Sequence, residues 1–329
     1  MKLSDFDYNL PKELIAQYPL KERDSSRLLV VDRKQDNIEH RGFKDICDYF
    51  RKGDLLVLND TKVLPSRLKG NRLSGGKVEL LLLNHKGNLR FRAWIKPGRV
   101  KLKEKIIFDG GRISCTVIAK NEVTFDAKDI DAVYSQGVMP LPPYIKREPE
   151  DSDNLDYQTV YAKKEGAIAS PTAGLHFTNE LIQKMQSSGV DIGYLTLHVS
   201  YSTFRPVKAE DITKHTMDKE YFNIDDDTLK LIEEARAKNG RIFAVGTTSC
   251  RALETYALGK KEGDTDLFIY PGYRFKLVDS LITNFHLPRT TLFMLSCAFA
   301  GEKLMKKAYQ EAIDKKYRFY SYGDAMLIV

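Results

Sequence analysis

GAIASPTAGLHFTNELIQKMQSSGVDIGYLTLHVSYSTFRPV, residues 166–207, sets a helix and a strand between two blocks of a different character. Leu181, Ile182 and Met185 recur at helical spacing, Thr178 stands where an N-cap belongs, and Gly189 follows the end. DIGYLTLHV (191–199) alternates and is rich in branched and aromatic residues, which predicts a strand. The flanking blocks, SPTAGLHFT (170–178) and LTLHVSYSTFRPV (195–207), crowd small residues, hydroxyls and two histidines together. A core asks for volume. Ser170, Thr172, Gly174, His176, His198 and Thr203 instead offer hydrogen bonds and room for a ligand to approach. The two blocks are therefore expected to meet at one end of a sheet.

A chain of 329 residues exceeds the usual size of one core, so two domains are the expectation. With 42% hydrophobic and 29% charged residues the composition is that of a globular protein. MKLSDFDYNLPKEL lacks an apolar h-region, and Leu292–Gly301 is about half a membrane span. Neither a secretory signal nor a spanning helix is expected. Cys47, Cys115, Cys250 and Cys297 lie far apart without a C-x-x-C pair, which favours reduced thiols in a cytoplasm and argues against zinc. Charge is uneven: Lys62–Lys120 holds 15 Lys and Arg against 3 acids, a net of +12, so the remainder carries −5 of the chain's +7. Such a footprint belongs to a protein that holds a polyanion with one domain, or to a lysine-rich solvated surface.

Along the chain, LPKELIAQYP predicts a short helix opened by Pro11, RLLVVDR (27–33) a strand, FKDICDYF a helix and DLLVLND (54–60) a buried strand. From Val63 the texture changes to short runs, KVELLLL, LRFRAWI, KIIFD and ISCTVIA, broken at glycines, which predicts a small antiparallel β-barrel or sandwich. Arg90, Arg92 and Trp94 alternate on one strand, either gripping phosphate and a base or forming a plain exposed face. MPLPPYIKREPEDSDN (139–154) is Pro-rich and then charged, a fitting boundary. Residues 1–62 and 150–329 thus read as one discontinuous α/β domain, with 63–149 as an inserted basic barrel.

In RIFAVGTTSCRALETYALGK (241–260) a strand leads through a Gly246-Thr247-Thr248 turn into a helix with Ser249 near its cap. A glycine–hydroxyl turn before a helix presents unpaired N–H groups to an anion, at the strand end where open α/β sheets bind ligands. No G-x-G-x-x-G occurs, so a nicotinamide or flavin cofactor is not supported. KHTMDKEYF (214–222) gathers His215, Asp218 and Glu220, and reads either as a base with polar neighbours or as a loop leading into a strand. LFIYPGYRFKLVDSLITNFHLPRTTLFMLSCAFAG (267–301) predicts a strand, a turn at Tyr270–Tyr273, another strand, then Asn284-Phe285-His286, and a helix from about Thr291. An amphipathic helix near 302–316 and a last strand finish the chain.

Taken together, LNDTKVLPSRL (58–68), PLPPYIKR (140–147), YQTVYA (157–162), SPTAGLHFT, LTLHV, TFRPV, GTTSCRALE (246–254), YPGYRFK, TNFHLPRTTL (283–292) and SYGDAMLI (321–328) resemble the S-adenosylmethionine:tRNA ribosyltransferase-isomerases of queuosine synthesis. The match runs nearly end to end. It implies a cytoplasmic enzyme, an α/β body with an inserted barrel, and two partners, tRNA and S-adenosylmethionine. It further implies that S-adenosylmethionine is consumed as a substrate, with no cofactor or metal. Its ribosyl group would pass to 7-aminomethyl-7-deazaguanine in the anticodon loop, giving epoxyqueuosine tRNA with adenine and methionine released. Ser200 and Ser202 stand where the family usually has glycine, and Asp218 where it tends to have a second histidine.

That chemistry suits these residue types. A sulfonium acidifies the adjoining 5′ carbon, and His176, His198 or His215 is matched to take a proton there near neutral pH. Tyr270, Tyr273 and Phe285 are candidates to face the sulfonium or adenine. Gly246, Thr247 and Thr248, with Arg251, are candidates to hold the methionine carboxylate or a phosphate. Ser170, Thr172, Thr203, Arg205, Asn284 and His286 complete the expected substrate-binding set, and Arg67, Arg90, Arg92, Lys96 and Arg99 the expected tRNA contacts. A monomer is expected. Two other readings compete: an RNA methyltransferase, which would carry a glycine-rich cofactor loop and release S-adenosylhomocysteine, and a tRNA-binding protein that turns nothing over.

Overall fold

RLLVVD and LLVLN contain no polar face because both of their faces are covered. In the computed structural model, which describes residues 1–201 and 207–329, they belong to a sheet of nine strands. The order is Glu262–Thr265, Glu220–Ile224, Asp191–Leu197, Leu55–Asn59, Ile242–Val245, Ser280–Asn284, Ala325–Ile328, Arg27–Asp32, Asn37–Gly42. The run from Asp191–Leu197 to Ser280–Asn284 is parallel, and antiparallel pairs flank it. Leu55, Val57, Ile242 and Ala244 face one core, with the helices Asp226–Ala237, Gly246–Ala257, Thr291–Ala300 and Glu302–Asp314. Leu56, Leu58, Phe243 and Val245 face the other, with the helix Asn179–Ser187 and the 3₁₀ segment Phe43–Tyr49. The period of two along each strand thus feeds two separate cores.

The second sheet closes on itself. Its strands are Arg67–Arg72, Lys77–His85, Arg90–Lys96, Glu122–Asp126, Ile113–Ala119 and Lys105–Phe108, and the last pairs back to the first at Asn71 and Ile107. Leu68, Leu80, Phe91, Ala93, Ile106 and Val117 fill the interior, while Arg90 and Arg92 point out. The expected α/β body carrying an inserted antiparallel barrel is what the chain forms. The Pro-rich stretch that follows lacks long elements but is well packed. Met139, Leu141 and Ile145 lie with Ala16, Tyr157 and Tyr322. Arg147 grips the buried Asp153 through two 2.6 Å bonds.

Three local expectations change. LPKEL forms only a 3₁₀ turn, Lys12–Leu14, after which Ile15 bridges to Phe319. Its helical propensity loses to that pairing. The Gly246-Thr247-Thr248 segment is the first turn of the helix, not a turn ahead of it, and Ser249 Oγ donates back to Val245 O at 2.7 Å instead of capping. No strand forms at Leu267–Tyr270, and the second predicted strand begins only at Ser280. The N–H groups of Lys276, Leu277 and Val278 donate to the buried Glu254 carboxylate at 2.9–3.0 Å, so a side chain does the work of a neighbouring strand.

Candidate active site

The four parallel strands deliver Asn59, His198, Gly246 and Asn284 to one end of the sheet, the carboxyl end at which open α/β sheets bind ligands. Asn59 laces this end together. Its Oδ1 accepts from Leu197 N (3.0 Å) and Thr61 N (3.2 Å), and its Nδ2 donates to Leu197 O (2.9 Å) and Thr248 Oγ1 (3.4 Å). Gly246 turns strand into helix at φ +87°, a conformation that favours glycine. No side chain caps the helix that begins there.

Beside that turn lies a narrow pocket of about 50 Å³, lined by Ser170, Thr172, Gly246, Thr247, Thr248, Asn284, Phe285 and His286 together with Tyr144 and Ser321. Residues from three separated blocks of sequence therefore do meet. Ser170 Oγ is buried and has no hydrogen-bond partner among the described residues. Thr172 Oγ1 donates to Asn284 Oδ1 at 3.2 Å. Asn284 Nδ2 must face the carbonyl of Tyr320 (3.2 Å), so it also donates to His176 Nε2 at 3.0 Å. His176 then carries its proton on Nδ1, which donates to Ser26 Oγ at 2.8 Å. Burial pulls its pKa down to about 3, with Arg318 and Arg23 adding to the effect. Held neutral with both nitrogens engaged, His176 orients Asn284. His286 is equally buried, drawn to about 3 by burial and bonded through Nε2 to Thr283 Oγ1. Phe285 reaches the pocket from a cluster of rings that includes Tyr309, Tyr317 and Phe319.

Two larger clefts open where the body meets the barrel. One, of about 680 Å³, is lined by Trp94, His215, Asp218, Arg251, Phe268 and Leu295 among others. It is large enough for a nucleoside-sized ligand. His215 meets Phe268 edge to face at 5.2 Å, and burial holds its pKa below the ordinary histidine value against the opposing pull of Asp218. The other cleft, of about 400 Å³, is lined by Arg92, Trp94, His198, Ser200, Asp218 and Glu220 among others. His198 Nδ1 is bonded to Thr61 Oγ1 at 2.8 Å, its ring stacks on Tyr221, and burial lowers its pKa while Asp60 raises it. Gly166, at φ +145°, leaves space for that ring: a Cβ there would stand 2.8 Å from His198 Cε1. Trp94 and Asp218 line both clefts, and Trp94 meets Tyr201 across the junction at 4.6 Å. The three histidines therefore occupy three different places.

The remaining predicted residues divide. Tyr273 is turned inward, its hydroxyl donating to Glu254 Oε2 at 3.0 Å, and Tyr270 packs on Phe268. Arg67 is engaged by Glu79 through bonds of 2.9 and 3.1 Å. Arg90, Arg92, Lys96 and Arg99 are exposed. Ser202, Thr203 and Arg205 lie outside the described residues. Asn59 and Thr61 were not singled out as site residues, and Glu220 only as a polar neighbour of His215. Asn59 left a trace in the sequence as the amide ending an otherwise apolar strand. Among the described residues, no three His, Cys, Asp or Glu side chains converge as a metal site, and no helix is long and apolar enough to cross a membrane.

The family model described as "Queuosine biosynthesis protein" matches residues 3–328. The chain belongs to the queuosine biosynthesis protein family. Within that family it is 52% identical to the S-adenosylmethionine:tRNA ribosyltransferase-isomerase of Sulfurihydrogenibium sp. (strain YO3AOP1), over the whole of both chains. It is 49% identical, again over the whole of both, to the protein of the same name from Caldanaerobacter subterraneus subsp. tengcongensis. Among solved structures it resembles an S-adenosylmethionine tRNA ribosyltransferase from Thermotoga maritima, with a TM-score of 0.58, 37% identity, and 99% of this chain and 100% of that one covered. Family membership thus agrees with what the motifs of the queuosine biosynthesis proteins imply, and the strand-end pocket is built largely from those same motifs, whereas the junction clefts take few residues from them, among them Arg251 and His198.

Proposed function

We propose that this chain transfers and isomerises the ribosyl group of S-adenosylmethionine onto 7-aminomethyl-7-deazaguanine in a tRNA anticodon loop, releasing adenine and methionine. The observation that carries this reading is the pair of clefts meeting at Trp94 and Asp218. The larger is cut into the body, and the smaller opens against the barrel strand that bears Arg92. The larger would hold S-adenosylmethionine. The smaller would receive the modified base, with Trp94 and Tyr221 offering ring faces and Asp218 negative charge toward its aminomethyl cation.

His215 is the base we favour for the 5′ carbon, because it lies in the larger cleft and burial shifts it toward its neutral form. His198 stands on the base side, where it can accept the proton that the aminomethyl nitrogen loses on attacking the ribose. The carbanion left at the 5′ carbon bonds to the anomeric carbon as adenine departs from it, and the ring oxygen freed by the attack of the amine on the 4′ carbon displaces the sulfonium as methionine when the epoxide closes. His176 acts through Asn284. The inserted segment 63–149 grips the tRNA backbone through Arg90, Arg92, Lys96 and Arg99, with the protein acting as a cytoplasmic monomer.

Single-turnover incubation with S-adenosylmethionine and a deazaguanine-modified anticodon stem–loop, followed by mass spectrometry, tests the reading. The expected outcome is adenine and methionine release with a ribosyl-sized gain on the RNA. A methyl-sized gain would establish a methyltransferase instead, and RNA binding without any product would establish a non-catalytic binder.

A further inference from the structure

We propose that Arg251 receives the α-carboxylate of S-adenosylmethionine through its Nη2 nitrogen, which makes the 680 Å³ cleft the subsite of the aminoacyl end. This inference rests on the function proposed above. Arg251 lines that cleft but is itself only 6% exposed. Two of its three nitrogens are committed: Nη1 donates to Glu220 Oε2 at 2.5 Å and Nε to Leu267 O at 3.1 Å. Its Nη2 is buried with no hydrogen-bond partner among the described residues. A guanidinium nitrogen left in that state is costly, and natural interiors leave few such groups unmatched.

The fork is rigid. Glu220 Oε1 accepts from Ser200 N at 2.8 Å, which fixes the carboxylate and through it the guanidinium plane. The Arg251–Glu220 pair is neutral as a unit, so the one spare nitrogen beside it suits a single carboxylate, whereas a run of phosphates would call for more positive charge than the pair has to give. Met217, Leu267, Phe268 and Leu295 give the same cleft apolar wall for the methylenes of a methionyl chain. The Gly246–Thr248 turn, the other candidate for this carboxylate, lines the separate narrow pocket, with Arg251 absent from it.

The test compares S-adenosylmethionine with its decarboxylated analogue, using the full chain and the modified stem–loop. For the wild type we expect the analogue to show a KM higher by on the order of 10- to 100-fold, the loss of one charge-assisted contact. Arg251→Gln should raise the KM for S-adenosylmethionine by a similar factor and leave those for the analogue and the RNA unchanged. Equal KM values for the two compounds in the wild type overturn the proposal. So does an Arg251→Gln variant whose RNA KM rises while that for S-adenosylmethionine stays put, which would assign the nitrogen to a phosphate. Because Arg251→Gln strands Glu220, the wild-type comparison stands without it, and Arg251→Lys should recover part of the loss. If the wild type releases no adenine from either compound, the functional reading fails on its own. Calorimetric binding of the two compounds then still decides whether a carboxylate is recognised.

Discussion

His176 shows how one residue type in one motif takes a role that its spacing does not reveal. SPTAGLHFT offered a histidine among hydroxyls, the composition of a general base, yet its two nitrogens are spent on Ser26 and Asn284. The consequence appears in stability against pH. The native pKa near 3 lies below the unfolded value near 6.5, so between them the unfolded chain binds the proton that the native one refuses. Stability is therefore complete above about pH 6.5 and falls as pH drops toward about 3. Urea denaturation between pH 7.5 and 5.5, above the range where carboxylates titrate, should show this loss. His176→Gln should flatten the slope by up to roughly 1.4 kcal/mol per pH unit, with His286 supplying a second share that the variant leaves intact. An unchanged slope would mean that His176 is protonated in the native state.

The helix Gly246–Ala257 carries three different duties on successive turns: Thr247 and Thr248 at the pocket, Arg251 at the larger cleft, and Glu254 beneath the 276–278 loop. Its existence was legible, since RIFAV and the following apolar spacing require a strand and a helix. Its start was not, because Gly246 can end a strand or open a helix, and only the φ of +87° decides. The second strand of the 267–301 stretch likewise starts where tertiary structure sets it, at Ser280: ahead of it Glu254 supplies the acceptors for Lys276, Leu277 and Val278 that a strand partner would have provided. Glu254→Ala leaves three backbone donors and the Tyr273 hydroxyl without their partner. We expect a loss of at least about 3 kcal/mol in denaturant unfolding and faster amide exchange confined first to Lys276–Val278. Exchange there as slow as in the wild type would show that another acceptor takes over.

At the scale of the molecule, the charge excess seen between Lys62 and Lys120 is laid over a closed barrel in which Glu79 pairs with Arg67, Glu104 with Arg72 and Glu122 with Lys86. The exposed Arg90 and Arg92 are thus the cations left for a partner on the strand that runs toward the cleft. If each meets a phosphate, replacing both with alanine should weaken tRNA binding and reduce the slope of log affinity against log salt by about 1.4–1.8. Filter binding over a range of salt measures it. A weaker complex with the original slope would place the phosphates elsewhere.

What the sequence determined by itself was whatever depends on neighbours along the chain. The apolar runs of the buried strands, the caps at Thr178 and Asp225, the alternation of Arg90, Phe91, Arg92 and Ala93, and the order of motifs sufficed for an α/β body with a barrel inserted. What tertiary structure alone decided was which polar side chains face one another. Asn59 reaches Thr248 across 189 positions, Ser26 reaches His176 across 150, and Arg251 meets Glu220 across 31. A hydrogen bond or an ion pair works over about 3 Å in space, and no local periodicity records which distant strand ends will share that space.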